Sequence, residues 1–174
     1  MFGNAIEAVQ AYIALGGPVI YLIAGLAFLM WTLVLERAVY YYGGGLNRDL
    51  NAAINAWEER AERVSWHAHR VREKLISEVS EKVNTYLPMI KTTVALAPLF
   101  GLLGTVTGMI NVFEIMAITG GGDARQMATG VFSATVPTLS GMVVAIAGVF
   151  ANNLVSRKAT NEKALLEDHL TMDH

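Results

Sequence analysis

The stretch APLFGLLGTVTGMINVF, residues 97–113, decides the fold of this chain. It is apolar enough to cross a membrane, yet it contains Thr105, Thr107, Asn111 and several glycines. Hydrocarbon tails do not stabilise hydroxyl groups or bare backbone, whereas a neighbouring helix or a water-filled path does. The stretch therefore predicts a membrane assembly built around a polar feature rather than a passive anchor.

Uncharged stretches of this kind occur three times in the 174 residues, at 19–35, 92–113 and 126–156. A helix needs about 20 residues to cross a bilayer. The third stretch exceeds that length, so we expect one end of its helix to leave the bilayer. The predicted fold class is an all-α integral membrane protein with three transmembrane helices and long cytoplasmic helical extensions, forming one domain over residues 1–174. The predicted segments are an outer interfacial helix at 4–15, spans at about 17–36, 92–114 and 128–152, a cytoplasmic helical segment at 46–91, an outer loop at 115–127 and a cytoplasmic tail at 153–174.

The distribution of lysine and arginine predicts the orientation. Residues 1–18 contain none, 36–91 contain nine, 114–126 contain one, and the tail after 156 contains three. Because the side rich in lysine and arginine faces the cytoplasm, we expect an outward N-terminus and an inward C-terminus. The N-terminus lacks a basic region, so the first span is predicted to be a retained helix rather than a signal peptide.

The segment between spans one and two has the clearest periodicity in the chain. Its apolar residues alternate spacings of four and three, at Leu50, Ile54, Trp57, Ala61, Val64, Ala68, Val71 and Leu75. This unbroken a/d pattern predicts a helix with the packed seam of a coiled coil or bundle. Its predicted partners are the parts of spans two and three that extend beyond the bilayer.

Spans two and three each carry a face of small residues, Gly101, Gly104 and Gly108 in one and Gly141 and Ala145 in the other. One interpretation is close helix packing, with each threonine hydroxyl bonded to a carbonyl of its own helix. The other is a pore lining, in which Thr105, Ser133, Thr135 and Thr138 face a water path or a partner helix. The residues alone leave both open.

No Asp, Glu, His, Lys or Arg lies inside the three uncharged stretches. Ion and proton pathways normally contain an intramembrane ionisable group, so protons could cross only if another chain brings it. The sequence has no paired carboxylates, phosphate loop or nucleophile–base pair. His67 and His69 are two apart and do not share a helix face, which disfavours a metal site. We therefore expect no enzyme activity, no metal and no cofactor.

Polar residues also occur at the predicted inner interface. Glu36 and Arg37 end span one and are predicted to form an interface ion pair, with binding of lipid headgroups as the alternative. Asn152 is predicted to cap or bridge helices near the same interface.

The span-two sequence resembles the APLLGLLGTVxGM signature of the ExbB/TolQ/MotA proton-channel family. Glu36-Arg37 is similar to the ER motif that ends span one in that family. The sequence around Thr138 and Gly141 is similar to its third span, and Asn152 or Asn153 matches the asparagine near its inner end. The resemblance covers the chain from span one onward. Length and three spans favour a short ExbB-type member over a MotA-type one, while a TolQ-type member remains an alternative.

This resemblance implies a homopentameric ring in the bacterial inner membrane, with spans two and three around a central pore. Thr105 and Thr138 correspond to the pore threonines of the family. The implied partners are membrane lipids, an ExbD-like single-span protein with a membrane Asp, and a TonB-like protein energised by the proton gradient. The alternatives are service in a Tol-Pal system and a scaffold that conducts nothing.

The chain departs from the family at two positions. Ser133 stands where the family commonly has Glu, and Pro137 stands where it commonly has no proline. We expect Pro137 to bend span three beside Thr138 and to open space that Ser133 and Thr135 line.

Overall fold

The computed structural model describes residues 2–60, 62–63, 65–120 and 124–170. This part of the chain is helical, with short connections. The helices are α1 (Phe2–Gly16), α2 (Pro18–Tyr42), α3 (Gly45–Glu58), α4 (Trp66–Asn84), α5 (Leu87–Thr119) and α6 (Ala124–His169). Three helical regions, in Pro18–Tyr42, Trp66–Ile118 and Ala124–His169, are long and apolar enough to cross a membrane. The predicted all-helical, multi-pass fold with three spans is confirmed.

The chain divides into two compact units. Unit one comprises Met1–Trp31 and Lys91–Val149, and contains most of the uncharged sequence. Unit two comprises Thr32–Ile90 and Phe150–His174. Large apolar side chains of unit one are exposed on its surface, among them Phe28 at 77%. A soluble monomer rarely leaves such a surface uncovered, so lipid or other chains must cover it.

Helices α1 and α2 of unit one are separated by Gly17, whose φ of 65° few other residues adopt easily. Pro18 then opens α2, where its missing N–H costs nothing. The Tyr12 hydroxyl lies 2.7 Å from the Ser140 hydroxyl, so α1 contacts α6 well inside that helix rather than at its first turn.

Helix α6 has 46 residues and contains Pro137 without interruption. At 1.5 Å per residue it is roughly 70 Å long, more than twice the hydrocarbon thickness of about 30 Å. Part of α6 therefore lies outside the bilayer, as the length of the third uncharged stretch predicts.

The heptad pattern of residues 50–75 is not carried by one helix, so that prediction is wrong. Helix α3 ends at Glu58 and α4 begins at Trp66, with the Ser65 side chain as its N-cap. Two members of the pattern, Ala61 and Val64, lie outside the described residues. The chain breaks because Ser65 caps a new helix, and α3 and α4 then pack against each other.

Unit two has its own apolar core. The buried residues of its helices include Leu46, Ala53, Trp57, Ala68, Val79, Val83, Leu166 and Leu170. Arg72 of α4 donates hydrogen bonds to the carbonyls of Glu167 and Leu170, and so satisfies groups at the C-terminus of α6 that have no partner in that helix. The C-terminal end of α6 is thus one of the packing partners of the 46–91 segment, as predicted.

Asp49 joins three helices of unit two. It accepts hydrogen bonds of 2.8 Å from the Tyr40 hydroxyl of α2 and the Lys82 ammonium of α4. The Lys82 hydrogen bond lowers the pKa of the Asp49 carboxyl below its ordinary value, and the Tyr40 bond adds to this effect while burial opposes it.

Replacing Asp49 with asparagine is expected to lower the free energy of unfolding at neutral pH by about 0.2–1 kcal/mol, because Lys82 is exposed and such pairs are weak. The native pKa is lowered, so the ionic contribution is complete above the unfolded value of about 3.9 and is lost as the pH falls through the native pKa. Thermal unfolding in detergent should therefore separate wild type from Asp49→Asn at neutral pH but not in strong acid. A difference that persists in acid would contradict this.

Candidate functional site

Helices α5 and α6 of unit one meet along glycines. A Cβ atom added to Gly101 would lie 2.9 Å from Thr138 Cα, and one added to Gly104 would lie 2.7 Å from Pro137 Cγ. A Cβ atom on Gly108 would lie 2.6 Å from the Cβ of Ala134. These distances are shorter than real side chains tolerate, so the small residues let the two backbones touch.

Helix α6 also contributes a glycine to this contact. A Cβ atom on Gly141 of α6 would lie 3.2 Å from both the carbonyl carbon of Ala97 and the Cα of Gly101. Ala145, one turn further along α6, is half-buried. The structure thus places four of the five small residues singled out in the sequence at the contact between α5 and α6.

Thr105 and Thr138 face each other across this contact, and their hydroxyl groups are hydrogen-bonded. Thr138 Oγ1 also donates to the carbonyl of Gly101 at 2.9 Å. A hydroxyl has one proton to donate, so when Thr138 donates to Gly101, Thr105 must donate to Thr138. Both side chains are half-buried. The result is a short chain of hydrogen bonds that joins two helices.

Three other hydroxyls of these spans, those of Thr107, Ser133 and Thr135, bond within their own helices. Ser133 donates to Gly130 at 2.9 Å and Thr135 to Phe132 at 2.7 Å. Thr107 donates to Leu103 at 3.0 Å and approaches Gly104 at 3.1 Å. The structure therefore does not bring Ser133 and Thr135 to the threonine pair, and their pore-lining role stays a prediction. The interpretation that each hydroxyl bonds to a carbonyl of its own helix therefore holds for these three residues. It does not hold for Thr105 and Thr138, which bond across the two helices.

Pro137 is buried, and its ring lies in the space left by the missing side chain of Gly104. Helix α6 continues through it. The ring thus fills space at the contact between the two helices, and the opening expected beside Ser133 and Thr135 stays a prediction.

Glu36 and Arg37 form an ion pair in unit two. Arg37 Nε and Nη2 donate to the two carboxylate oxygens of Glu36 at 2.6 and 2.7 Å, and Arg37 is only 4% exposed. Its Nη1 donates to the carbonyl of Lys82 at 3.0 Å, and the Tyr41 hydroxyl donates to that of Val83 at 2.7 Å. The pair is therefore engaged with the C-terminus of α4. The sequence could not indicate this, because the partners lie about 45 residues apart and backbone carbonyls leave no trace in a pattern of residues.

Asn152 lies in unit two on the half-buried face of α6. Its Oδ1 atom and the Ser156 hydroxyl one turn further on are buried without a hydrogen-bond partner among the described residues. The structure shows no cap or bridge made by Asn152 Oδ1 in that part of the chain.

The arrangement in unit one can bind polar groups but cannot titrate. Residues 92–113 and 126–156 contain no ionisable side chain, and a threonine hydroxyl neither takes up nor releases a proton near neutral pH. In this arrangement both hydroxyl protons are used within the contact, so the threonine pair can accept a hydrogen bond from water or from an acid.

Comparison with known proteins finds a family model, described as the MotA/TolQ/ExbB proton channel family, that matches residues 45–168. An ExbB-like biopolymer transport protein of Synechocystis sp. is 51% identical over 61 residues, which cover 33% of this chain and 24% of that protein. The biopolymer transport protein ExbB of Helicobacter pylori is 41% identical over 63 residues, or 36% of this chain and 43% of the relative.

The Tol-Pal system protein TolQ of Pseudomonas aeruginosa is 33% identical over 84 residues, covering 48% of this chain and 36% of that protein. The chain thus spans less than half the length of these curated relatives. The family match includes α5, most of α6 and the threonine pair. Because it extends over most of the sequence, the chain belongs to the MotA/TolQ/ExbB proton channel family.

Proposed function

We propose that the chain is an ExbB-type subunit that forms the wall of a proton-driven motor in the bacterial inner membrane. The observation that carries this proposal is the hydrogen-bonded pair Thr105 and Thr138. The pair lies in a glycine-packed contact between two helical stretches, residues 92–113 and 126–156, that contain no ionisable residue. A wall that offers hydroxyls but no titrating group suits a channel completed by another chain. The motor uses the proton-motive force to energise TonB-dependent transport across the outer membrane.

The missing ionisable group calls for a partner that brings one, and the family membership favours a single-span ExbD-like protein that carries a membrane Asp. Copies of this chain surround it as a ring, with five copies expected from the family resemblance, and a TonB-like protein receives the work. The N-terminus faces the periplasm and the C-terminus the cytoplasm, as the lysine and arginine bias favours. The chain is not an enzyme in this proposal and needs no cofactor.

Two alternatives have specific support. The similarity to a TolQ protein favours a subunit that energises a Tol-Pal envelope system. The glycine contacts would equally suit a scaffold that packs helices and conducts nothing.

Reconstitution in liposomes tests the proposal. We expect proton uptake, followed with an internal pH-sensitive dye, only when the chain is purified together with its single-span partner. Replacing the partner's membrane Asp with asparagine should abolish the flux. Recovery of no such partner, or equal flux from the Asn variant, would overturn it. Complementation then separates the two systems, because an ExbB-type subunit should restore receptor-mediated uptake and a TolQ-type subunit should restore envelope integrity.

A further inference from the structure

The C-terminal end of α4 is capped partly by its own C-cap residue, Thr85, whose N–H donates to Lys82 O at 3.4 Å, and partly by another helix. The last four carbonyls of a helix have no partner within it. At this end Lys82 O accepts from Arg37, Val83 O accepts from Tyr41, and Glu81 O accepts from the Thr85 hydroxyl at 2.9 Å. Two of these donors belong to α2, so the end of α4 is fixed by a different helix.

Arg37 is well suited to this role because little of it can move. Glu36 holds its guanidinium by two hydrogen bonds, the geometry that gives arginine its directional strength. The guanidinium carbon lies 4.7 Å from the ring centre of Tyr40 and 5.2 Å from that of Tyr86. The predicted ion pair is present, with Arg37 buried and Glu36 about half-exposed. The burial of the guanidinium disfavours the alternative that it binds lipid headgroups.

Tyr86 adds an independent observation. It has a φ of 63°, and among the described residues it is the one non-glycine with a positive φ. A bulky residue in this region is strained, and such strain persists where surrounding structure requires it. Tyr86 connects α4 to α5, and its carbonyl accepts the hydrogen bond from Ile90 N at 2.9 Å that begins α5. Its ring, held near Arg37, gives a reason for tyrosine at a position where glycine or asparagine would be easier.

We propose that Glu36, Arg37, Tyr41 and Tyr86 form a clamp that fixes the junction between α4 and α5, with Arg37 as its central positioning residue. The junction is where the helix that carries Thr105 begins. The clamp itself stands on the contacts of unit two alone. Only its effect on proton flux rests on the proposed function.

Spin labelling tests the clamp directly, and the absence of cysteine allows single-cysteine labelling without background substitutions. A label at Met89→Cys is suitable because this side chain is half-exposed and lies in the first turn of α5. We expect Arg37→Met to shift the label towards higher mobility. Arg48→Met makes the same change at an exposed arginine of α3 and should leave the spectrum unchanged.

Two further variants sharpen the test, and the first of them also covers the case of a misfolded Arg37→Met protein. Tyr41→Phe removes one hydrogen bond and keeps the ring, and should give a smaller shift in the same direction. In Tyr86→Asn, the asparagine tolerates a positive φ, but the ring is lost. Combining this change with Arg37→Met should add little further mobility, because both changes break the same contact between Arg37 and the Tyr86 ring. An unchanged label in Tyr41→Phe would overturn the clamp, and so would additive shifts in a folded double variant.

The flux assay separates the clamp from the proposed function. If the label responds and the flux of the complex with the single-span partner falls in Arg37→Met but not in Arg48→Met, Arg37 positions the conducting helix. If the label responds while the flux stays at the wild-type level, the clamp stands but Arg37 has no role in conduction. If wild-type complexes conduct nothing, the proposed function fails while the label still decides on the clamp.

Discussion

Valine at position 104 is expected to force α5 and α6 apart. A Cβ atom on Gly104 would lie 2.7 Å from Pro137 Cγ and 3.3 Å from Val19 Cγ1. The proline ring cannot rotate away as a flexible side chain could, so the backbones must move. Overpacking of this kind costs roughly 1–3 kcal/mol, and more where relaxation is blocked. Loss of this spacing should also separate Thr105 from Thr138 and abolish any function of the pair.

Gly25→Val is the matched control. Gly25 is also a membrane-helix glycine, in α2, but a Cβ atom there meets nothing within 4 Å. Both variants carry the same change in helix propensity and side-chain area, so they differ only in what the new atoms touch. Thermal unfolding in detergent, followed by circular dichroism, should show a large fall in midpoint for Gly104→Val and a small change for Gly25→Val. Equal midpoints would mean that the contact between α5 and α6 does not stabilise the protein.

The features of unit one that were predictable from sequence are those set by composition and helical spacing. The uncharged stretches predict the three spans because the bilayer excludes charge. The face formed by Gly101, Gly104 and Gly108 predicts a close approach because helical spacing places these residues together. The hydrogen bond between Thr105 and Thr138 could not be predicted from the spacing of residues along the sequence. It depends on how the two helices are rotated about their axes relative to each other, which decides which hydroxyls meet.

The features of unit two that were missed depend on local capping and on distant backbone groups. The heptad spacing from Leu50 to Leu75 continues across a break between α3 and α4. Ser65 could have indicated the break, since a serine that starts a helix is a common N-cap, and its hydroxyl does accept from Ala68 N at 3.3 Å. The hydrogen bond from Arg37 to the Lys82 carbonyl could not be predicted from the sequence in this way. Every residue has a backbone carbonyl, so no residue type marks the one that accepts the bond.

Replacing both Thr105 and Thr138 with valine is expected to abolish gradient-driven activity, with a loss of at least about tenfold, which corresponds to 1.36 kcal/mol. Valine keeps the volume and removes the hydroxyl. Each single variant should show the same functional loss, since either breaks the chain of hydrogen bonds from Thr105 through Thr138 to Gly101. Activity is measured as proton flux in liposomes with the single-span partner.

Stability should behave differently from activity. Thr138→Val removes two hydrogen bonds and leaves the Thr105 hydroxyl without this partner, whereas Thr105→Val removes one. Each such bond contributes about 0.5–1.5 kcal/mol. The double variant leaves no orphaned hydroxyl at the contact, so it should be little less stable than Thr138→Val alone, with a coupling of at least about 0.5 kcal/mol.

Two controls make the comparison specific to the pair. Thr107→Val makes the same change in the same helix, but that hydroxyl bonds to its own helix at Leu103, so flux should remain near the wild-type level. Replacing Thr105 and Thr138 with serine keeps both hydroxyls and loses two methyl groups, so flux should survive at some cost in packing.

The contrast between these variants decides what the pair does. If the hydroxyls only join helices, flux should follow the free energy of unfolding across all of these variants, because serine keeps the joining hydrogen bonds and valine loses them. If they hold water or the partner's acid, the folded valine variant should be inactive and the serine variant active. Normal flux from a folded Thr105→Val/Thr138→Val protein would reduce the pair to a packing contact. The proton path would then have to depend on groups of the partner alone, because residues 92–113 and 126–156 offer no titrating side chain in its place.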